Sequence, residues 1–324
     1  MKRLHAQSPS TYTVKELCGL FGVSKQAYYK HDPDVDLRRA AQEEFALQFI
    51  RSTRAKDPGI GGVKLWRMYC REFGQSNRIG RDRFCEIFDR HGYKLRRRRH
   101  KPRTTDSSHS NHVYPNLVKN VIPLRMGEII VGDITYIPLQ PEGSEGDEKP
   151  FCYVCMLMDS YSKLVLGYSA GETLEARYPM LALTQTTAAL EERGVDLSQT
   201  IHHTDRGVQY TCSEYIMMLS RKSMGISMTE SGNPKDNSEA ERLNNTLKNE
   251  LFKDMVFHNV EQVREALKNA VDFYNYERPH LSLENRTPYE ASRCVGRFKR
   301  EWISYRERAI DALVENNPDV EVGV

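Results

Sequence analysis

Over residues 13–30 apolar side chains recur every three to four positions, break at Gly22 and resume behind Ser24. This predicts two short helices around a turn, the second capped by Ser24. The pair has the pattern of a helix-turn-helix, or of an ordinary helical hairpin. An amphipathic helix is predicted over about 36–50, and the breaker Asp57-Pro58-Gly59-Ile60-Gly61-Gly62 separates it from helices over about 63–71 and 80–91. Beyond Met126 the period shortens from helical to alternating. Segments 128–139, 151–158 and 163–169 read as strands, parted by the turn-prone stretches 141–148 and 159–162, and predict an antiparallel meander. A helix over 174–193, a strand over 200–204, a helix over 213–224, a strand over 226–229 and helices over 238–252 and 261–276 follow. Three strands and then alternating helix and strand describe an α/β protein: a mixed five-stranded sheet flanked by helices, behind an all-α N-terminal region. No internal repeat is seen.

At 324 residues the chain is long enough for two or three domains. With 39% apolar and 28% charged residues it is neither fibrous nor disordered in composition. No apolar run approaches the roughly 18 residues a membrane span needs, and Met1-Lys2-Arg3-Leu4-His5 does not lead into a signal-peptide stretch. A cytoplasmic protein with no membrane partner is therefore expected. Seven scattered cysteines in so large a chain read as reduced thiols. The one close pair, Cys152 and Cys155, lies in a predicted strand, where a spacing of three sends the sulfurs to opposite faces and argues against zinc.

The net charge of +3 conceals an asymmetry. Residues 1–110 carry 24 Lys/Arg against 12 Asp/Glu, a balance of +12, whereas residues 111–324 carry 23 against 32, a balance of −9. A basic front third suits a polyanion, most simply nucleic acid. Two features concentrate that charge: Lys25, Gln26, Tyr29 and Lys30 on the second short helix, which suit phosphates and base edges, and the run 94–103, with seven Lys/Arg in ten residues including Arg96, Arg97, Arg98 and Arg99. The run is a phosphate-binding arm or a solvated spacer. Residues 104–115, rich in Ser, Thr, His and Asn, read as a linker.

Three carboxylates stand out in the acidic remainder: Asp133 within the first strand, Asp205 directly after the fourth, and Glu241 early in the 238–252 helix. A charge among apolar strand residues is costly to bury unless something pairs with it. Divalent cations would do so, and three carboxylates around a phosphodiester could hold two ions. Glu239 competes with Glu241, but the two point about 200° apart on a helix, so only one can face the metals. Ala240, Leu243, Leu247 and Leu251 form that helix's apolar stripe, and Glu241, Asn245 and Lys248 align on an adjacent face.

The flanks are distinctive. Asp205 stands in His203-Thr204-Asp205-Arg206-Gly207-Val208-Gln209-Tyr210, and, with 35 residues between the two carboxylates, Glu241 stands in Asp236-Asn237-Ser238-Glu239-Ala240-Glu241-Arg242-Leu243-Asn244-Asn245-Thr246-Leu247-Lys248. Tyr274-Asn275-Tyr276-Glu277-Arg278-Pro279-His280 and Thr287-Pro288-Tyr289-Glu290 follow. Together these motifs resemble the integrase-type core of insertion-sequence transposases of the IS-three family, related to retroviral integrases, over about residues 13–292.

The resemblance implies a ribonuclease-H-like core with Asp133, Asp205 and Glu241 as a catalytic triad holding Mg²⁺ or Mn²⁺, two ions per site. It selects Glu241 over Glu239 and places Lys248, with Asn245, toward DNA; the alternative for Lys248 is a solvated lysine. His203 would orient Asp205 or the substrate, or is a structural histidine. Arg278 and His280 read as a turn packing beneath the site and not as catalytic groups. The implied layout is a helix-turn-helix over 1–35, a helical DNA-binding region over 36–103, a linker over 104–122, an integrase-like core over 123–292 and a tail over 293–324. The implied activity is metal-dependent cleavage at element ends followed by 3′-OH strand transfer into target DNA, by a homo-oligomer assembled on DNA. No sustained heptad repeat is present, so the chain resembles the family's downstream-frame product, whose partner would be an upstream-frame helix-turn-helix and leucine-zipper protein. A DNA-binding regulator without activity, or a nuclease that cuts without joining, are the alternatives.

Overall fold

In the computed structural model, residue 7 and residues 11–30, 33–74, 76–95, 112–119, 121–141, 150–230 and 234–299 are described. Helix α1 (Val14–Leu20) opens with a capping box: Glu16 N donates to the Thr13 hydroxyl at 3.2 Å and Thr13 N to the Glu16 carboxylate at 2.9 Å. Gly22 turns the chain at φ +64°, a left-handed value that side chains disfavour. Ser24 then caps α2 (Lys25–Lys30), its Oγ accepting from Ala27 N at 3.1 Å. Of the two helices, only Leu17 and Cys18 are buried.

Helix α3 (Pro33–Lys56) runs past the predicted end at 50 because tertiary contacts hold its last turns. Arg54 donates to Tyr93 O at 2.8 Å and also to Pro58 O, and its guanidinium lies over the Phe88 and Tyr93 rings. Helices α4 (Gly62–Phe73) and α5 (Arg81–Arg90) complete this region, burying Leu65, Tyr69, Phe84, Ile87 and Phe88 against Ala46, Leu47 and Ile50 of α3.

The sheet is built from β1 (Ile129–Pro138), β2 (Phe151–Asp159), β3 (Val165–Gly171), β4 (Ile201–Thr204) and β5 (Gly225–Met228), in the order β3-β2-β1-β4-β5. The first three form the expected antiparallel meander, while β4 joins β1, and β5 joins β4, in parallel. Parallel neighbours need crossovers. Helix α6 (Arg177–Glu192) makes the first; a short α7 (Val208–Thr211), unforeseen in the apolar pattern, and α8 (Ser213–Arg221) make the second. The result is the mixed five-stranded α/β sheet flanked by helices that the apolar pattern predicts.

Alternation along the strands divides the core. Val131, Met156 and Met158 face one cluster; Ile130, Cys155 and Leu157 face the other, with Leu183 of α6 and Tyr215 of α8. Cys152 and Cys155 fall in different clusters, as a spacing of three demands, and both are free thiols. The first cluster continues through α9 (Ser238–Thr246), α10 (Val260–Tyr276) and the N-terminal helices α3–α5. The stripe of Ala240, Leu243, Leu247 and Leu251 is buried throughout.

The sequence pattern predicts an unbroken helix to 252, yet from Leu247 to Leu251 the helix widens into a π turn. Its Glu250 carbonyl accepts from Gly59 N at 2.9 Å. Farther on, the Asn275 side chain pairs with the backbone of Val165, accepting at 3.0 Å and donating at 2.9 Å, which completes the hydrogen bonding of β3 at its start. A Thr287–Glu290 capping box begins α11 (Pro288–Ala291). Among the described residues, no helix is long and apolar enough to cross a membrane.

Candidate active site

Pairing of β1 with β4 ends in register at Val131 and His203. Two residues farther along each strand's direction stand Asp133 and Asp205, so the parallel alignment delivers both carboxylates to one place. Asp133 Oδ1 accepts from Ile134 N and Oδ2 from Asn244 Nδ2, each at 2.8 Å. Asp205 Oδ1 accepts from Gly207 N at 3.0 Å, a turn-forming bond typical of Asp. Burial pushes the Asp133 carboxyl up to about 7, and the negative charge of Asp205, with a smaller contribution from Glu241, adds to the shift. Burial also raises the carboxyl of Glu241, which is half-buried on the first turn of α9.

Glu239 is turned elsewhere. Its carboxylate accepts from the Ser160 hydroxyl at 2.6 Å and pairs with Lys163 at 3.0 Å, at the turn between β2 and β3. Lys248 is half-buried two turns beyond Glu241; burial lowers its pKa, and the Asp133 carboxylate opposes that shift, so the ammonium lies within electrostatic reach of the site. Asn245 is exposed.

His203 is buried, with both ring nitrogens engaged: Nδ1 meets Ser227 Oγ at 2.8 Å and Nε2 meets Asp236 O at 3.1 Å. A carbonyl can only accept, so Nε2 carries the proton and Ser227 donates to Nδ1 while accepting from Leu117 N at 2.9 Å. The imidazole thus joins β4, β5 and the 234–237 turn ahead of α9. Within that turn Asn237 Nδ2 donates to Gly132 O at 2.9 Å, beside Asp133. His202 faces the opposite core. It donates from Nδ1 to Ile130 O and accepts at Nε2 from Tyr215, and burial depresses its pKa to about 4, so it stays neutral.

Sequence reasoning missed Asn244 and Asn237. Asn244 follows Glu241 by three residues, the spacing that puts two side chains on one helix face, and that was the available signal; Asn237 carried none, because its role depends on a contact 105 residues away. Lys25, Tyr29 and Lys30 are exposed on α2 and bonded to none of the three carboxylates. Arg96, Arg97, Arg98 and Arg99 lie outside the described residues.

The donor set suits a hard divalent cation. Carboxylate oxygens are the ligands such ions take, and a cation would offset both the burial and the repulsion from Asp205 that lift the Asp133 pKa. In the arrangement seen, no three His, Cys, Asp or Glu side chains among the described residues are close enough together to form a complete ligand set.

Residues 123–234 match one family described as an Integrase core domain and residues 222–288 match a second with the same description. The insertion element IS600 uncharacterized 31 kDa protein of Shigella sonnei is 27% identical over 277 residues, covering 84% of the chain and 96% of that protein. The transposase for insertion sequence element IS629, also of Shigella sonnei, is 25% identical over 289 residues, covering 87% and 92%. The HTLV-2 integrase catalytic core domain, solved in complex with magnesium, aligns at 16% identity with a TM-score of 0.38 over 53% of the chain and 99% of that domain. With integrase-core matches from 123 to 288 and insertion-element relatives along more than four-fifths of its length, the chain belongs to the insertion-sequence transposases with an integrase catalytic core.

Proposed function

We propose that the protein is a DNA transposase that hydrolyses a phosphodiester at the ends of its element and uses the freed 3′ hydroxyl to attack target DNA, with Asp133, Asp205 and Glu241 as the catalytic carboxylates. The observation that carries the assignment is the Asp133–Asp205 pair, set side by side by the β1–β4 register with Glu241 in electrostatic range. The three carboxylates would hold Mg²⁺ or Mn²⁺, two ions, which when bound supply charge stabilisation for the attacking and leaving oxygens.

The chain's own contribution is alignment and electrostatics. Asn244 fixes one oxygen of Asp133 by donating to its Oδ2. The Ile134 and Gly207 amides hold Asp133 and Asp205 against rotation. Lys248 supplies a cation for a DNA phosphate near the reacting bond, and Asn245 an exposed amide on the same helix face. His203 supports the site through the 234–237 turn that delivers Glu241. Lys25, Tyr29, Lys30 and the run Arg96–Arg99 serve DNA binding, with residues 1–35, 36–103, 104–122, 123–292 and 293–324 as the successive functional parts. Two element ends must meet, which requires a homo-oligomer on DNA; an upstream-frame helix-turn-helix and leucine-zipper protein is the partner that would complete end recognition.

A strand-transfer assay tests this, using end-labelled duplexes that carry the terminal sequences of the element encoding the chain. Joined products are expected in Mg²⁺ and lost in EDTA and with Asp205→Asn. Binding without cleavage would favour a regulator, and cleavage without joining a nuclease.

A further inference from the structure

Past the last turn of α9, a single side chain pairs with charges from two distant parts of the chain. Glu250, in the π turn, accepts from Lys64 Nζ of α4 at 2.8 and 3.0 Å. It also accepts from Arg278, Nε at 2.8 Å and Nη2 at 3.0 Å, a fork-to-carboxylate pair. The side chains are 22%, 16% and 6% exposed for Lys64, Glu250 and Arg278, so the group is largely shielded from water. The backbone of the same residue receives Gly59 N, and the approach is so close that a Cβ on Gly59 would lie 2.4 Å from Glu250 Cα. His280 Nε2 accepts from Arg278 at 2.8 Å and holds the back of the guanidinium.

Asp57 completes the group. It is fully buried, and neither carboxylate oxygen receives a donor from the rest of the protein. Burial, and then the charge of Glu250, push it up to about 8, which favours its neutral form at neutral pH. Burial opposes the charge of Glu250, but the hydrogen bonds and charges of Arg278 and Lys64 outweigh it and hold the carboxyl low.

We propose that Lys64, Glu250 and Arg278 form a latch by which the N-terminal helical region positions the catalytic helix, making Lys64 and Arg278 positioning residues for strand transfer. The geometry is direct: Glu241, Asn244, Lys248 and Glu250 ride on one continuous helical segment, 238–251. Breaking the Lys64 end leaves the Glu250 carboxylate held by Arg278 alone and the π turn docked on the N-terminal region only through the Gly59 backbone bond. A displacement of the order of 1 Å at reacting groups costs about 100-fold in rate. This inference rests on the transposase reading for its kinetic consequence but not for the latch itself.

The test uses the full chain as wild type, Lys64→Met, Lys64→Arg, Glu250→Gln and the Lys64→Met/Glu250→Gln double variant. Thermal melting first establishes that each is folded. Amide hydrogen exchange over residues 238–251 is then followed without DNA, and single-turnover joining of pre-cut end duplexes is measured beside their binding by fluorescence anisotropy. In folded Lys64→Met, exchange over 238–251 is expected to quicken and joining to slow about tenfold or more at an affinity within about twofold of wild type. Lys64→Arg should restore both, and the double variant should be little worse than the singles, as for groups acting as one unit. Wild-type exchange and joining in Lys64→Met, failure of Lys64→Arg to rescue, or a double loss equal to the product of the singles would each overturn the latch. A wild-type chain that joins no DNA, while Lys64→Met still loosens 238–251, would sink the transposase reading and leave the latch standing.

Discussion

Asn244 shows how one amide can set the geometry of a carboxylate site. Its Nδ2 donates to Asp133 Oδ2, so Asn244→Ala removes the lateral restraint on that carboxylate without adding bulk. Single-turnover strand transfer is expected to fall roughly 10- to 100-fold with the melting temperature changed by only a few degrees. An unchanged rate would mean that Asp133 is positioned without it. On the opposite core, Tyr215 donates to His202 Nε2 at 2.8 Å in a fully buried pair. Tyr215→Phe leaves that nitrogen without a donor, and urea denaturation should show a loss of about 1–3 kcal/mol. Asp133, Asp205 and Glu241 were singled out in the sequence as candidates by their flanking motifs, and the β1–β4 register then brings Asp133 and Asp205 together. Asn237 and the tautomer of His203 were not, since each is defined by partners far along the chain.

At the scale of elements, the strands and helices follow closely from the apolar pattern, because alternation and 3.6-residue periodicity are local properties. The departures have tertiary causes. Helix α3 outruns its predicted end because Arg54 is bonded to the far side of the helical region, and the 238–252 helix becomes a π turn where Gly59 docks. Glycine at 59 is required by that approach, and Gly59→Ala should lower the melting temperature by several degrees as the α3–α4 loop is forced off the helix. Leu243, buried on α9 between the sheet and the helical region, is expected to cost about 2–5 kcal/mol as Leu243→Ala, read by urea denaturation. The Arg278 motif looked like a turn in sequence. It is one, and the structure adds that its guanidinium reaches back 28 residues to Glu250.

For the whole molecule, the buried charge cluster predicts a pH dependence. Glu250 is held down to about 2, so its stabilisation is complete above the ordinary carboxylate range and is lost as pH falls toward 2. Asp57 has the opposite sign: raised to about 8, it favours folding most below pH 4, and this contribution is lost as pH rises through 8. Arg54, Lys64, Arg278 and Glu250 are the charged groups around it. Urea midpoints are therefore expected to decline from pH 5 to pH 8 in the wild type. Asp57→Asn, which mimics the protonated acid, should flatten that decline and gain about 1–3 kcal/mol at pH 8. A wild-type slope retained in the variant would remove Asp57 as its source.

The sequence by itself determined most of the elements, though not α7 or the π turn, together with the mixed character of the sheet, the charge asymmetry and the three candidate carboxylates, because periodicity, composition and motif spacing are properties of the chain read in order. Only the tertiary structure decided which partners those groups meet: that β4 enters beside β1 and brings Asp205 to Asp133, that Glu239 turns to Lys163 while Glu241 does not, and that a lysine in α4 and an arginine after α10 close on one glutamate. The reason is physical. Local patterning is set by each segment's need to bury its own apolar face, whereas polar contacts across 28 to 186 residues arise only when packing has placed the segments side by side.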